Sequence, residues 1–323
     1  VRLGLAVALS AVAVVGVAGA ASNAFPQGKS YKILFVSQTP SSDPFGSVIV
    51  NGFNAACREY QVSCTYRALS TLAFNAADMI KLLQDAKAAS PDGLIAANPA
   101  PAGLNATLKS ISNSGIPLVL ANTGYGQTAA TGALTFIGNQ EYSLGQTGGE
   151  ALRKLGAKHA VLFTAQPGIP LVDERNAGFK AGFKGTVVNA AVAPTDISNS
   201  SKMTNILKAT LLKDKSVDAV FSIGSALNPS MLAARASLGS RAANIHWSSI
   251  DLGPLAVKAL QNKQMDFALA QQQYLEGYLA VQDLVFYLRG GFEPARTFTP
   301  VGPLLVTPAN IATFVQSTNR GLN

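Results

Sequence analysis

Histidine is nearly missing, with two in 323 residues; tryptophan occurs once, cysteine twice, and charged residues make up only 13%. Each scarcity removes a class of chemistry. His159 opens one apolar stretch and His246 lies inside another, so both read as structural. Two cysteines without a supporting histidine are too few for a zinc site. There is no Ser-His-Asp set, no G-x-S-x-G turn and no Walker loop. Gly124-Tyr125-Gly126 has a faint G-x-G look, but no helical pattern follows directly, which argues against a dinucleotide site. No carboxylate pair stands out as acid and base. The residues therefore name no cofactor and no metal, and the expectation is a protein that is not an enzyme.

The charge that is present leans one way, to a formal net of +8. Its Lys and Arg are scattered, with no basic run and no arginine–aromatic interleaving, so nucleic acid is not the expected partner. A solvated basic surface that draws acidic partners from a distance is the simpler reading. Hydrophobic residues at 48% place the chain among ordinary globular proteins, and its length suits one large or two medium domains.

Arg2 is followed by an apolar run that ends in Ala18-Gly19-Ala20, an A-x-A pattern. The run is long enough to span a bilayer. It is also rich in Ala and Gly and lacks a basic stop-transfer flank, so residues 1–20 read as a removed signal peptide and the mature protein as periplasmic. No cysteine near the cut suggests a lipid anchor. Cys57 ends a helical pattern and Cys64 opens the next strand, close enough in kind for a bond. Two buried thiols are the alternative; an oxidising compartment favours the disulfide.

From residue 32 the pattern alternates. Apolar strands at 32–38, 63–69, 92–98, 117–122 and 133–138 are separated by helical periodicity at 45–60, 75–89 and 102–113. The cadence then restarts, with helices at 142–155, 173–183, 202–212, 229–238 and 254–261. Strands at 159–165, 186–192, 218–224, 244–251 and 267–271 lie between them. A long helix to Leu288, an extended segment at 300–306 and a short helix at 308–314 complete the chain. Short apolar strands alternating with helices predict an α/β protein, and two successive runs predict two doubly wound parallel-sheet lobes. Ligands in such sheets bind beyond the carboxyl ends of strands. The residues there are Gln38, Thr39, Asn98, Asn122, Thr123, Gly224, Ser225, Asp251 and Gln271, which are polar and either uncharged or acidic. Gln271, Gln272 and Gln273 stand together between a buried strand and a buried helix, and amides offering donors and acceptors suit a hydroxyl-rich ligand.

With those strand ends in view, the chain resembles the ribose-type periplasmic binding proteins, the type I solute receptors of ABC sugar importers. SSDPF (41–45), LIAANP (94–99), FIGNQEYSLGQTGGEAL (136–152), GIPLVDERNAGF (168–179), SIDLGPLAVKAL (249–260), AQQQYLEGYLAV (270–281) and GPLLVTPANI (302–311) carry the resemblance. It implies the type I periplasmic binding protein fold, with a three-segment hinge joining residues 31–137 plus 272–301 to residues 138–271 plus 302–323. It also implies ligand contact by Asp43, Phe45, Asn98, Asp251 and Gln271.

The departures matter as much. The family's Asp-Arg pair after the fourth strand is Asn122-Thr123 here, and a binding Arg aligns with Asp173 if no gap intervenes. An Asn is replaced by Gly224 and a second Phe by Gly46. Losing arginines, which fork donors onto oxygens, leaves a cleft rich in acceptors. A small neutral sugar or polyol other than ribose is expected, stacked on Phe45, with a sugar acid disfavoured. Tyr125 and Trp247 read as packing, and Arg175 as the structural partner of a nearby carboxylate. The implied role is a monomeric receptor that closes on its ligand and presents it to an ABC permease in the inner membrane. A receptor feeding a chemoreceptor or sensor kinase, a repressor effector domain and a secreted enzyme on this scaffold are the alternatives. The repressor would need a helix-turn-helix where the apolar run stands.

Overall fold

The computed structural model describes residues 30–323; the expected signal peptide lies outside them. The first run supplies β1 (Lys32–Ser37), α1 (Pro44–Glu59), β2 (Ser63–Ala68), α2 (Ala76–Ala88), β3 (Gly93–Ala96) and α3 (Pro101–Ser112). It continues with β4 (Leu118–Asn122), α4 (Thr128–Thr131) and β5 (Phe136–Gly138). The second supplies α5 (Glu141–Lys154), β6 (His159–Ala165), α6 (Pro170–Phe183), β7 (Thr186–Val192), α7 (Ser200–Lys213) and β8 (Ala219–Ser222). After it come α8 (Asn228–Ser237), β9 (His246–Ile250), α9 (Pro254–Gln261) and β10 (Phe267–Ala270). Then follow α10 (Gln273–Gly290), β11 (Phe298–Pro300), β12 (Leu304–Val306) and α11 (Ala312–Asn319).

The strands form two six-stranded sheets, ordered β11-β5-β4-β3-β1-β2 and β12-β10-β9-β8-β6-β7. Nine of the ten pairings are parallel and β10–β12 is antiparallel. Inner strands such as β3, β4 and β8 are buried at every residue, as continuous apolar runs covered by helices on both faces must be. The edge strands β2 and β7 are mostly half-covered or exposed and carry polar residues at many positions. The two doubly wound lobes read from the sequence are therefore present, one around each sheet.

Helix starts follow local chemistry. Asp43 caps α1 by accepting from the Phe45 and Gly46 N–H groups, and Asn75 caps α2 in the same way from Ala77 and Asp78. Cys57 and Cys64 are joined in a disulfide that ties the end of α1 to the start of β2, with Cα atoms 6.2 Å apart. Among the described residues no helix is long and apolar enough to cross a membrane.

Most boundaries fall within about three residues of the sequence pattern, and three differences go beyond that or change the element. The helix expected at 308–314 forms instead at Ala312–Asn319. Asn310 accepts from the Thr307 N–H at 2.7 Å and donates to Leu305 O at 3.0 Å, and this closed turn occupies the residues where the helix was expected. The extended segment at 300–306 is two short strands, one in each sheet, separated at Val301–Pro303. A single helical turn, α4, does follow Gly124-Tyr125-Gly126, and Gly132 in the left-handed region ends it.

Candidate functional site

Both sheets have the order in which the first strand lies between the second and the third, so the winding reverses beside β1 and β6. The crevice belongs there. The two sheets turn these ends toward each other, and a cavity of about 160 Å³ lies between them. A water needs about 10 to 15 Å³ of such space, so the cavity holds several waters or one small solute. Gln38, Thr39, Asp43, Phe45, Asn122 and Thr123 line it from the first lobe, and Gln166, Arg175, Ser225, Asp251 and Gln271 from the second.

Backbone geometry aims several of these. Asn122, Gln166 and Asp251, at the exits of β4, β6 and β9, all have positive φ (69°, 52° and 76°). Asn and Asp tolerate this region better than most side chains, and such outliers gather at functional sites. A left-handed step at a strand end turns the chain sharply while its side chain stays at the mouth of the sheet.

The polar groups are held by one another. Asp251 Oδ1 accepts from Gln271 Nε2 at 2.7 Å and Oδ2 from the Ser225 N–H at 2.8 Å. Burial pushes its carboxyl up, opposed by the Arg175 guanidinium and these hydrogen bonds. Burial likewise raises Asp43, against the two N–H groups that it caps. Arg175 donates to Glu141 as a buried ion pair, and to Ile223 O at 3.0 Å. Asn122 accepts from Gln38 Nε2 at 2.8 Å and donates to Glu276 at 3.1 Å. At the mouth, Gln166 reaches across the cleft, donating to Leu72 O and accepting from the Phe74 N–H, each at 2.8 Å.

Of the residues expected from the sequence, Asp43, Phe45, Asn122, Thr123, Asp251 and Gln271 meet at this cavity. Asn98 does not line it. It lies with Thr123, Tyr125 and Glu141 around an adjoining pocket of about 40 Å³. There Asn98 Oδ1, Thr123 Oγ1 and Glu141 Oε1 are buried without a protein partner. Asn98 is oriented by donating to Asn105, which donates on to Gln127. A donor seated in that pocket would satisfy Asn98 Oδ1, while the Thr123 hydroxyl can either donate or accept.

Asp173 is the expectation that the structure corrects. It is exposed and accepts from the Gly168 N–H at 3.1 Å, outside either pocket. Arg175, two residues on, lines the cavity instead. Two residues along a helix is a rotation of about 200°, so only one of the pair can face the cleft. Packing of α6 on α5 decides which. The pairing expected for Arg175 is present, but its place in the wall was missed. So were Gln166, Leu72 and Phe74. The strand-end rule applied to β6 leads to Gln166; nothing in the irregular stretch after β2 marks Leu72 or Phe74. Trp247 is buried in the second core, its indole N–H on Ala242 O, as expected of packing. Tyr125 packs edge-on against Phe298.

Comparison with known proteins places this geometry. A carbohydrate transporter structure from Acidothermus cellulolyticus 11B, in complex with myo-inositol, is 27% identical with a TM-score of 0.84, covering 91% of this chain and all of that one. A solute-binding protein from Burkholderia graminis C4D1M, in complex with D-arabinose, shares the fold at 19% identity and a TM-score of 0.78, covering 88% of this chain and 98% of that one. The xylose/arabinose-binding protein XylF of Sulfolobus acidocaldarius is 22% identical over 314 residues, 91% of this chain and 73% of that protein. The periplasmic binding protein domain family matches residues 33–291, and the chain belongs to that family, with its type I fold.

Proposed function

We propose that this protein is the solute receptor of an ABC importer, capturing one small neutral sugar or polyol between its lobes and delivering it to an inner-membrane permease. One observation supports this above the others: a cavity between the two lobes with hydrogen-bonding side chains on part of its wall and Phe45, Phe74, Leu72, Ile169 and Val172 offering apolar faces on the rest. Its one guanidinium is already bound to Glu141, while Asp43 and Asp251 add acceptors, a balance that suits hydroxyl donors over a carboxylate. The similarity to a structure holding myo-inositol points the same way. Asp43, Phe45, Asn122, Thr123, Asp251 and Gln271 are the contacts assigned to the ligand. Residues 31–137 plus 272–301 form the first lobe and 138–271 plus 302–323 the second, and the receptor works as a periplasmic monomer without chemistry of its own.

A thermal-shift screen of the protein against pentoses, hexoses, inositols, amino sugars and sugar acids tests this. A native-state ligand at a hundredfold excess over Kd should raise Tm by about 5 to 10 °C. The rise should be lost in Asp251→Ala and Gln271→Ala. A response confined to sugar acids overturns the neutral-ligand reading, and silence across the panel overturns the receptor.

A further inference from the structure

Glu276 lies in the first turn of α10, just beyond the second hinge crossing, and is fully buried. Among the described residues its hydrogen-bond partners are two amides. Oε2 accepts from Asn122 Nδ2 at 3.1 Å, and Oε1 from Asn139 Nδ2 at 3.3 Å. Asn122 is the cavity-lining end of β4 and also holds Gln38. Asn139 stands in the first crossing and reaches Gln271 O at 3.3 Å and, more weakly, Gln271 Oε1 at 3.5 Å. The third crossing closes on the same spot. A Cβ on Gly302 would stand 2.7 Å from Asn139 Oδ1, and Gln272 donates to Val301 O. One carboxyl thus gathers a strand end of the cavity and, through Asn139, the glutamine opposite.

Its charged surroundings give an ionised carboxylate no contact cation. Arg175 of α6 is the cation that favours ionisation, and it is bound to Glu141. Glu141 of α5 and Asp251 after β9 oppose ionisation as like charges. Tyr66 of β2 feels the Glu276 charge too. The strands β3, β4 and β5, against which α10 packs, hold no titratable residue. Those of α1 stand at its ends, Asp43 before it and Arg58 and Glu59 in its last turn. A buried carboxylate so placed is costly unless it takes a proton.

We propose that Glu276 is a positioning residue for capture: its buried carboxyl holds Asn122 and, through Asn139, Gln271 in the arrangement that the closed hinge needs, and with no cation in contact with it capture weakens as pH rises. The idea rests on the receptor reading above. Burial holds this carboxyl well above the usual carboxylate range, against the Asn122 hydrogen bond, which favours the ionised form. A folded-state value above the unfolded one means stability that is complete in acid and falls as pH climbs toward the folded value. Asp43, Glu141 and Asp251 are raised as well, so the wild-type profile alone mixes several groups. The difference between wild type and Glu276→Gln isolates one.

Melting curves of wild type, Glu276→Gln and Glu276→Leu from about pH 5 to about pH 9, without ligand, are the first arm. The second arm repeats them with myo-inositol, D-xylose and D-galactose as probes. Glu276→Gln should melt above wild type at the alkaline end, with the gap closing toward acid, and should bind the responding probe with a flattened pH profile. Glu276→Leu, which has no acceptor for either asparagine, should lose about tenfold or more in affinity. A gap that does not change with pH, or Glu276→Gln melting below wild type at high pH, overturns the proposal. If neither these probes nor any member of the wider panel shifts any of the three proteins, the receptor reading falls and the capture half of the proposal with it. The ligand-free curves decide the protonation half separately.

Discussion

The two lobes are built to one plan and fastened differently. Strands β1–β5 and β6–β10 occupy matching places in their sheets. In each run the helix after the fifth strand leaves its own sheet. The helix α5 follows β5 yet packs on α6, and α10 follows β10 yet packs on α1. Both helix pairs meet backbone to backbone. In the first, a Cβ on Gly52 would stand 1.9 Å from Tyr274 O and one on Gly277 2.2 Å from Ile49 O. In the second, Gly145, Gly149, Gly178 and Gly182 are all pressed on partner backbone, Gly178 at 1.9 Å from Tyr142 O. Across that second seam runs the buried Arg175–Glu141 pair, whereas the first lobe has the Cys57–Cys64 bond at the far end of α1. In both lobes a seam helix also lines the ligand site, α1 through Phe45 and α6 through Arg175, but only in the second does the fastening pair itself contribute to the cavity wall. A change to the site costs fold there, while the first lobe keeps its staple away from the ligand.

Three sets of substitutions test that contrast, and Trp247, the one tryptophan, reports the second lobe by its fluorescence. The largest effect should come from Arg175→Met, which leaves Glu141 buried without its partner, for a loss of about 3 to 5 kcal/mol. Adding Glu141→Gln should return most of that stability without returning affinity. Denaturation by urea decides it; a single mutant within about 1 kcal/mol of wild type would show the pair to be dispensable.

Next come the seams. Gly178→Ala and Gly52→Ala each force a methyl into a carbonyl oxygen and should cost about 3 kcal/mol. Gly178→Ala should move the Trp247 transition, and Gly52→Ala should move the far-ultraviolet circular dichroism transition ahead of it. Coincident shifts at both probes would mean that the lobes unfold as one unit and that the contrast has no thermodynamic meaning. The smallest effect belongs to the disulfide. Its sequence separation is 7, and removing it as Cys57→Ala with Cys64→Ala should cost about 2 kcal/mol. That loss should appear in the first lobe and leave the Trp247 transition in place. A calorimetric trace in which the second lobe's peak moves instead would reverse the assignment.

Much of this architecture could be read from the residues, because buried parallel strands such as LVLA and AVFS advertise themselves as apolar runs between amphipathic helices. The strand-end rule then found Asn122, Thr123, Asp251 and Gln271, since position along the chain and position at the cavity coincide there. Asp173 came from the resemblance and not from that rule; it and Arg175 differ by helical phase, which α5 sets through Glu141, 34 residues away in sequence. Asn98 falls one pocket aside because its amide is committed to Asn105. Leu72 and Phe74 reach the cavity from a stretch without periodicity, and Gln166 engages their backbone, which carries no side-chain signal. The end of the chain misled for a related reason: the Thr307–Asn310 turn takes residues that a helical pattern also fits.

Gln166 has a further consequence for how tightly anything can be held. Its two bonds to Leu72 and Phe74 join the lobes without passing through a ligand. Neutral bonds of this kind net about 1 kcal/mol each, so together they would favour lobes that meet at the rim over lobes parted there on the order of thirtyfold. A solute then meets molecules already part of the way to capture, and less of its binding energy goes into recruiting the competent state. The same bias slows departure. Affinity and the speed of release would thus both depend on one amide at the rim of the same cavity that the recognising groups line.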